Sequence, residues 1–185
     1  MKHLISVTLL VLLAVVFLTP GRAADKATNK YVGVKACAPC HKPATIGKQY
    51  DIWHGSKHAQ AYTALTTPAA DSIAKAKGSK KAAVETKECL ACHTITADAA
   101  SVDKTFDVKD GVQCETCHGA GSAYKSMAIM KDKAKAIAAG ETEYKDAAAI
   151  EKKCRTCHND KSPTFKDFKF EEHWTKIKHP VPKKG

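Results

Sequence analysis

The 185-residue sequence has few aromatic side chains and, after its first residues, no long apolar run. Aromatic residues make up 6% of the chain, no heptad is sustained and glycine has no regular period, which excludes long coiled coils and collagen-like proteins. Beyond residue 23 no segment is apolar enough to span a bilayer. The mixture of 44% hydrophobic and 26% charged residues also excludes a wholly disordered chain.

The first 23 residues have the three-part layout of a secretory signal. A short basic start precedes an apolar run from Leu4 to Phe17, and Gly21 and Ala23 are small residues at the positions that a signal peptidase reads. The run is short for a hydrocarbon layer of about 30 Å, which disfavours a retained anchor. We therefore predict a signal peptide over 1–23, a single domain over 24–185, and a periplasmic protein without a transmembrane anchor after cleavage.

All eight cysteines follow one repeated pattern. Two residues separate the members of each pair, and a histidine follows each pair directly. The four segments are Cys37-Ala-Pro-Cys40-His41, Cys89-Leu-Ala-Cys92-His93, Cys114-Glu-Thr-Cys117-His118 and Cys154-Arg-Thr-Cys157-His158. This is the attachment signature of c-type haem. The two thiols form thioethers with the vinyl groups on one porphyrin edge, and the adjacent histidine binds the iron.

Zinc sites, disulfides and thioredoxin-like redox pairs are the alternatives to haem. Structural zinc does not require a histidine after each cysteine pair, and four such followers by chance have odds on the order of 10⁻⁵. Four identical short spacings are an odd disulfide framework, and the strand pattern around thioredoxin-like pairs is missing. The sequence predicts four covalently bound c-type haems, with the eight cysteines as attachment sites and His41, His93, His118 and His158 as proximal iron ligands.

The predicted haems change the interpretation of both charge and fold. Removal of Lys2 and Arg22 with the signal leaves 28 basic and 19 acidic residues, or +9, and eight haem propionates would bring this near neutral. We therefore expect no nucleic-acid partner. The 162 residues after Ala23 must enclose four haems, too few for a separate large core. We predict a mainly α fold of helices and loops wrapped round four packed haems, with little or no sheet.

Local patterns predict where the helices lie. Helices are expected over Pro43–Leu65, over Ala123–Ala139 with a stop at Gly140, from Glu141 into Cys154, and over Phe165–Lys178. An alanine- and lysine-rich stretch from Pro68 to Glu88 is interrupted at Gly78. Residues 102–112 are the best candidate for a short extended stretch or hairpin.

Four histidines remain for the second axial positions once His3 and the proximal ligands are set aside. They are His54, His58, His173 and His179. His54 and His58 are four residues apart on one predicted helix, so they are expected to share a face, and such a pair can also hold a separate metal ion. Met127 and Met130 are further candidate ligands through their thioethers, although their helical spacing favours packing.

The sequence resembles the cytochrome c-554 family from Tyr31 to Pro182. The resemblance rests on Tyr31-Val-Gly33, Trp53 through Ala61, Gly111 through Gly121, and Ile177-Lys-His-Pro180. It implies a mainly helical protein with four closely packed haems. It also implies that His58 is the distal ligand of the haem on His118 and that His179 serves the haem on His41.

For the other two haems the resemblance leaves alternatives. It implies that the haem on His93 is open on its distal side, and His54 is the candidate ligand that would close it. The family's ligand for the fourth haem follows the third motif, but this chain has no histidine between His118 and His158. Met130, Met127 or His173 are the candidate replacements.

The leading interpretation is an electron carrier that exchanges single electrons with other redox proteins. No catalytic acid, base or nucleophile stands out, which favours this interpretation. The alternative is an enzyme that carries out redox chemistry of nitric oxide, nitrite or hydroxylamine at a haem with an open distal side. A third hypothesis is an oligomer, in which copies stack into conducting fibres.

Overall fold

The structure is a computed structural model that describes residues 29–181. Within this range the chain forms short α-helices joined by turns and by 3-10 segments, and it contains no β-strand. A single parallel backbone bridge joins Tyr31 to Val102. The prediction of a mainly α fold with little or no sheet is confirmed. The predicted signal peptide and its cleavage site lie outside the described residues.

The helices between residues 29 and 181 have four to nine residues each. In chain order they are α1 (Val34–His41), α2 (Gln49–His54), α3 (Ala61–Ala64), α4 (Pro68–Ala76), α5 (Lys87–His93), α6 (Cys114–His118), α7 (Met127–Met130), α8 (Lys133–Ala138), α9 (Ala147–Cys154) and α10 (Phe170–Ile177). The 3-10 segments are Ala83–Glu85, Ala99–Ser101 and Val108–Asp110. Helices this short are not stable alone, so tertiary contacts must hold them.

The helix predicted over Pro43–Leu65 was wrong in its extent. The chain forms α2 and α3 instead, and a turn over residues 55–60 separates them. The Ser56 hydroxyl donates to the carbonyl of Trp53 and accepts from the backbone N–H of His58, which closes this turn and ends α2. His54 and His58 therefore do not lie on one helix.

The remaining element predictions differ in detail. Asp132 interrupts the helix predicted over 123–139, because its carboxylate caps α8 by accepting from the backbone N–H of Lys135 at 3.1 Å. The stop at Gly140 is confirmed. The helix into Cys154 and the C-terminal helix are also present, but they begin at Ala147 and Phe170, later than the predicted starts at Glu141 and Phe165. Residues 102–112 contain a 3-10 turn rather than a hairpin.

Buried hydrophobic side chains are few and mostly dispersed. Eleven hydrophobic residues are buried within the described range, and three of them are alanines. The main cluster joins Leu65, Ala74 and Ala83 from the end of α3, α4 and the 3-10 turn before α5. None of the helices between residues 29 and 181 has the length and apolarity that a membrane span requires. So small an apolar core leaves much of the cohesion to polar contacts and to any bound group.

A buried carboxylate in the third cysteine motif ties distant segments together. Glu115, which is 3% exposed, accepts hydrogen bonds from the backbone N–H groups of Val32, Gly33 and Gly121, at 2.9, 2.7 and 2.7 Å for the shortest contact of each. The strand-like approach to α1 and the loop after α6 are thereby fastened to the same side chain. Charge-assisted bonds to three donors offset the burial of the carboxylate.

We predict that Glu115→Ala lowers the free energy of unfolding by about 3 kcal/mol or more, because it leaves three buried N–H groups without their acceptor. Glu143→Ala is the matched control, since Glu143 is an exposed carboxylate, and we expect a change within about 0.5 kcal/mol. Chemical denaturation followed by far-UV circular dichroism measures both. Equal unfolding midpoints for the two variants would contradict this role of Glu115.

Candidate haem sites

The helical segments place each cysteine pair and its histidine on one turn. His41, His93 and His118 are the last residues of α1, α5 and α6. In the fourth motif α9 ends at Cys154, and the chain continues in a helical turn in which the N–H of His158 donates to the carbonyl of Cys154 at 3.0 Å. Side chains three and four residues apart share a helix face, so each motif presents two thiols and an imidazole together. No disulfide joins any of the eight cysteines.

The four motifs lie side by side in two pairs. The Cys37 thiol of the first motif lies beside the Cys114 thiol of the third, and this neighbour, together with burial, raises the pKa of Cys37. Burial and the neighbouring Cys157 thiol of the fourth motif raise the pKa of Cys92, in the second motif, to about 11. Motif one therefore meets motif three, and motif two meets motif four.

Two pairs of histidine rings lie at a separation that would suit a shared metal ion. The ring centroids of His118 and His179 are 5.8 Å apart, and those of His58 and His158 are 6.1 Å apart. Metal–imidazole bonds are about 2 Å long, so two rings that bind one metal from opposite sides have centroids roughly 6 Å apart. Both separations fit an axial pair on a haem iron.

Burial lowers the pKa of three of these four rings. Desolvation, followed by the neighbouring ring of His158, lowers the pKa of His58. Desolvation also lowers the pKa of His158, and it lowers that of His179 together with the nearby rings of His118 and His41. A depressed pKa favours the neutral imidazole near neutral pH, and only the neutral ring can bind iron.

The ring of His93 is oriented by the backbone rather than by a second histidine. Its Nδ1 lies 2.7 Å from the carbonyl oxygen of Ala61, the first residue of α3. A hydrogen bond from Nδ1 to a carbonyl sets the tautomer and leaves Nε2 free for a metal. Among residues 29–181 we find no histidine ring packed against His93, in contrast to His118 and His158.

The geometry pairs the distal histidines differently from the family resemblance. The resemblance connected His58 with the haem on His118, whereas the ring of His58 lies beside His158. It connected His179 with the haem on His41, whereas the ring of His179 lies closest to His118, with His41 as a further neighbour. The roles of both residues as iron ligands stay predictions, and their ring contacts are with other motifs than the resemblance implies.

The two other candidate histidines lie in less direct positions. His54 is exposed, and its ring stacks on Tyr50 with centroids 5.8 Å apart. Phe168 lies between His173 and His158, with centroid distances of 4.9 Å to the former and 4.6 Å to the latter. Together with Cys157 these three side chains line a cleft of about 290 Å³ at the fourth motif.

The two methionines mark the ends of α7. Met127 is 61% exposed, and Met130 is half-buried. Their role as iron ligands stays a prediction.

Several polar side chains around His118 carried no signal in the sequence. The Tyr124 hydroxyl donates to the carbonyl of Gly119 at 2.6 Å, and the Tyr144 hydroxyl donates to that of Cys117 at 2.8 Å. The Glu141 carboxylate lies 3.8 Å from Nδ1 of His118, and the adjacent His118 and Lys133 hold its pKa below the usual range. Tyrosines and glutamates occur throughout the chain, so only the fold distinguishes these three.

Helix-end Cys-x-x-Cys-His segments, with second histidines opposite two of them, are the arrangement that c-type cytochromes use to hold covalently attached haem. The fold and the sites define a protein of this class. The donor set and the ring separations fit the group, because thiols, a proximal imidazole and a neutral opposing imidazole meet at one place.

Comparison with known proteins agrees with this class. The family described as "Cytochrome c554 and c-prime" matches residues 36–119, which include the first three motifs. Cytochrome c-554 of Nitrosomonas europaea is 28% identical over 161 residues, which cover 80% of this chain and 66% of that protein. The chain thus spans just under two thirds of that relative's length. No solved structure matches the chain. The chain is thus similar to the cytochrome c-554 family, most directly over its first three motifs.

A glycine just before the third motif lets the His58 backbone approach closely. Gly111 has a φ of 73°, and a Cβ there would lie 2.5 Å from the carbonyl oxygen of His58. The next residue, Val112, donates its N–H to the same oxygen at 3.0 Å and accepts from the indole of Trp53 at 2.8 Å. His58 is thereby fastened to the segment that leads into α6.

We predict that Gly111→Ala destabilises the protein by about 3 kcal/mol or more, since it adds a backbone clash to the strain of a positive φ. Gly78→Ala is the matched control, because Gly78 has a φ of 88° but nothing within 4 Å of an added Cβ. The control is expected to cost only about 1–2 kcal/mol. Thermal unfolding measures the difference, and equal losses would contradict the close approach at His58.

Proposed function

We propose that the chain binds four c-type haems and carries single electrons between redox protein partners in the periplasm. The observation that carries the proposal is the side-by-side packing of the four cysteine motifs in two pairs. Haem supplies an iron that takes up and releases one electron. The chain's part is to hold these groups as neighbours, to bind each iron axially and to limit contact with water.

The pairing of the motifs supports transfer within the molecule. The thiols of Cys37 and Cys114 are close enough to affect each other's titration, as are those of Cys92 and Cys157. Groups attached through these sulfurs are therefore neighbours within each pair. The Cys117 thiol is buried near Cys154 and Cys157, which connects the third motif with the fourth. A continuous chain of neighbours is what an electron carrier requires.

We propose that His58 and His158 form one axial pair and that His179 and His118 form another. Ring separations of 6.1 and 5.8 Å and the lowered pKa values support both pairs. An iron held between two imidazoles exchanges electrons without exchanging ligands, which suits carriage rather than catalysis.

The periplasmic location rests on the predicted signal over residues 1–23. Cysteines exported in this way enter an oxidising compartment. Redox proteins are the proposed donor and acceptor. With four haems the net charge of the mature protein is near neutral, so we expect surface patches rather than overall charge to guide docking.

The proposal predicts the mass of the mature polypeptide plus four haems. It also predicts that His58→Ala and His179→Ala each convert one low-spin ferric haem into a high-spin haem, because each removes one axial ligand. His54→Ala is the comparison, because the exposed ring of His54 stacks on Tyr50 and not on a proximal histidine, and it should leave the spin states unchanged. Electron paramagnetic resonance of the oxidised holoproteins counts the two states. A colourless protein would refute haem binding, and unchanged spectra in both variants would refute the axial pairs.

A second candidate function has one specific observation in its favour. Within the described part of the chain neither His93 nor His41 has a histidine ring packed against it, while His118 and His158 each have one, and His179 lies near His41. A haem iron bound at His93 would accept a small molecule such as nitric oxide, nitrite or hydroxylamine. A high-spin signal in the wild-type protein that shifts on addition of one of these ligands would support an enzyme. A wholly low-spin spectrum would support carriage only.

A further inference from the structure

The Glu141 carboxylate faces the nitrogen of His118 that an iron does not use. Its Oε1 lies 3.8 Å from Nδ1 of His118, and the Glu141 side chain is 10% exposed. In a histidine bound to metal through Nε2, the partner of Nδ1–H controls both the orientation of the ring and its strength as a donor. A carboxylate at this position therefore acts directly on the proximal ligand of the third motif.

The backbone holds Glu141 in this place from both sides. Helix α8 ends in a hydrogen-bonded turn in which Gly140, with a φ of 109°, donates to the carbonyl of Ile137 at 2.9 Å. Glu141 itself donates to the carbonyl of Ala136 at 2.9 Å. The following residue, Thr142, donates to the carbonyl of His118, also at 2.9 Å. The carboxylate is thus fixed to the end of one helix and to the backbone of the ligand that it faces.

A lysine on the solvent side modulates the same carboxylate. Lys133, which is 58% exposed, places its Nζ 3.1 Å from Oε1 of Glu141. The oxygen that faces the imidazole is therefore also the one that meets the cation. Lys133 offsets part of the negative charge near His118, and the two residues act on the ring with opposite sign.

The second motif provides a comparison within the same chain. Nδ1 of His93 faces a neutral backbone carbonyl, that of Ala61, at 2.7 Å. Nδ1 of His118 faces a carboxylate instead. Two motifs with the same Cys-x-x-Cys-His pattern thus differ in the charge behind the proximal histidine, and hydrogen bonding and charge near the ligand are among the factors that set the potential of a haem.

We propose that Glu141 is a positioning residue that lowers the reduction potential of the haem held by His118. Its negative charge attracts Nδ1–H, makes the imidazole a stronger donor and favours the ferric over the ferrous iron. The electron taken up in reduction is then held less firmly at this haem than it would be with a neutral partner. This inference rests on the proposed binding of haem at the third motif.

Glu141→Gln keeps the shape of the side chain and removes its charge, and it tests the proposal in the haem-loaded protein. Stepwise reduction followed by visible spectroscopy resolves the individual reduction waves. We expect one wave to move to higher potential, with its reduction constant about tenfold larger, or about 59 mV for one electron. Glu141→Asp retains the charge and should restore part of the wild-type value.

Two controls separate this role from a merely structural one. Lys133→Gln is expected to move the same wave to lower potential, because the carboxylate then acts without its counter-charge. Glu143→Gln removes the same formal charge from an exposed position two residues away, and it should leave the waves in place. Opposite shifts from Glu141→Gln and Lys133→Gln are not expected of substitutions that simply loosen the fold.

The proposal is overturned if Glu141→Gln leaves every wave in place or shifts all of them alike. If that variant fails to fold, Lys133→Gln decides, and an unmoved wave there overturns the proposal as well. Failure of the underlying haem binding looks different, because the wild-type protein would then be colourless and have the mass of the bare polypeptide.

Discussion

A histidine one helical turn after a cysteine is the constraint on which the rest of the structure depends. In α1, α5 and α6 the histidine is the last helical residue, and in the fourth motif a single turn beyond α9 does the same work. Covalent attachment requires both thiols at one porphyrin edge with the imidazole beneath the iron. Of the ten helices between residues 29 and 181, the four that carry cysteines, α1, α5, α6 and α9, all end at or within a motif, so this requirement fixes where they end.

Such short elements need other means of cohesion. The buried apolar residues are few, and their main cluster covers only α3 to α5. Polar anchors reach across the chain instead: the Glu115 carboxylate holds the approach to α1, and the indole of Trp53 holds the segment before α6. Most of these anchors end at or beside a cysteine motif. The side chains that stabilise the fold are therefore also those that place the candidate haem ligands.

The four motifs have different chemical surroundings. Each presents the same thiols and imidazole, yet the groups behind the proximal rings differ from a carbonyl at His93 to a carboxylate at His118. The opposing groups also differ, since His118 and His158 have a facing histidine ring. Because the haem potential follows the ligands and the charge around them, one repeated motif can supply sites of different potential.

The positions of the cysteines and proximal histidines were readable from the chain because the attachment chemistry is local and spans only five residues. The helical fold class followed from the same motifs, and the ends at Gly140 and Cys154 followed from short-range signals. The extent of the helix around His54 and His58 was wrong, because side-chain hydrogen bonds of Ser56 favoured a turn over continued helix. Which motifs are neighbours, which histidine faces which, and the approach of Glu141 to His118 were decided by tertiary structure alone. These contacts join residues far apart in the chain, and local periodicity and motif spacing do not predict which distant residues meet.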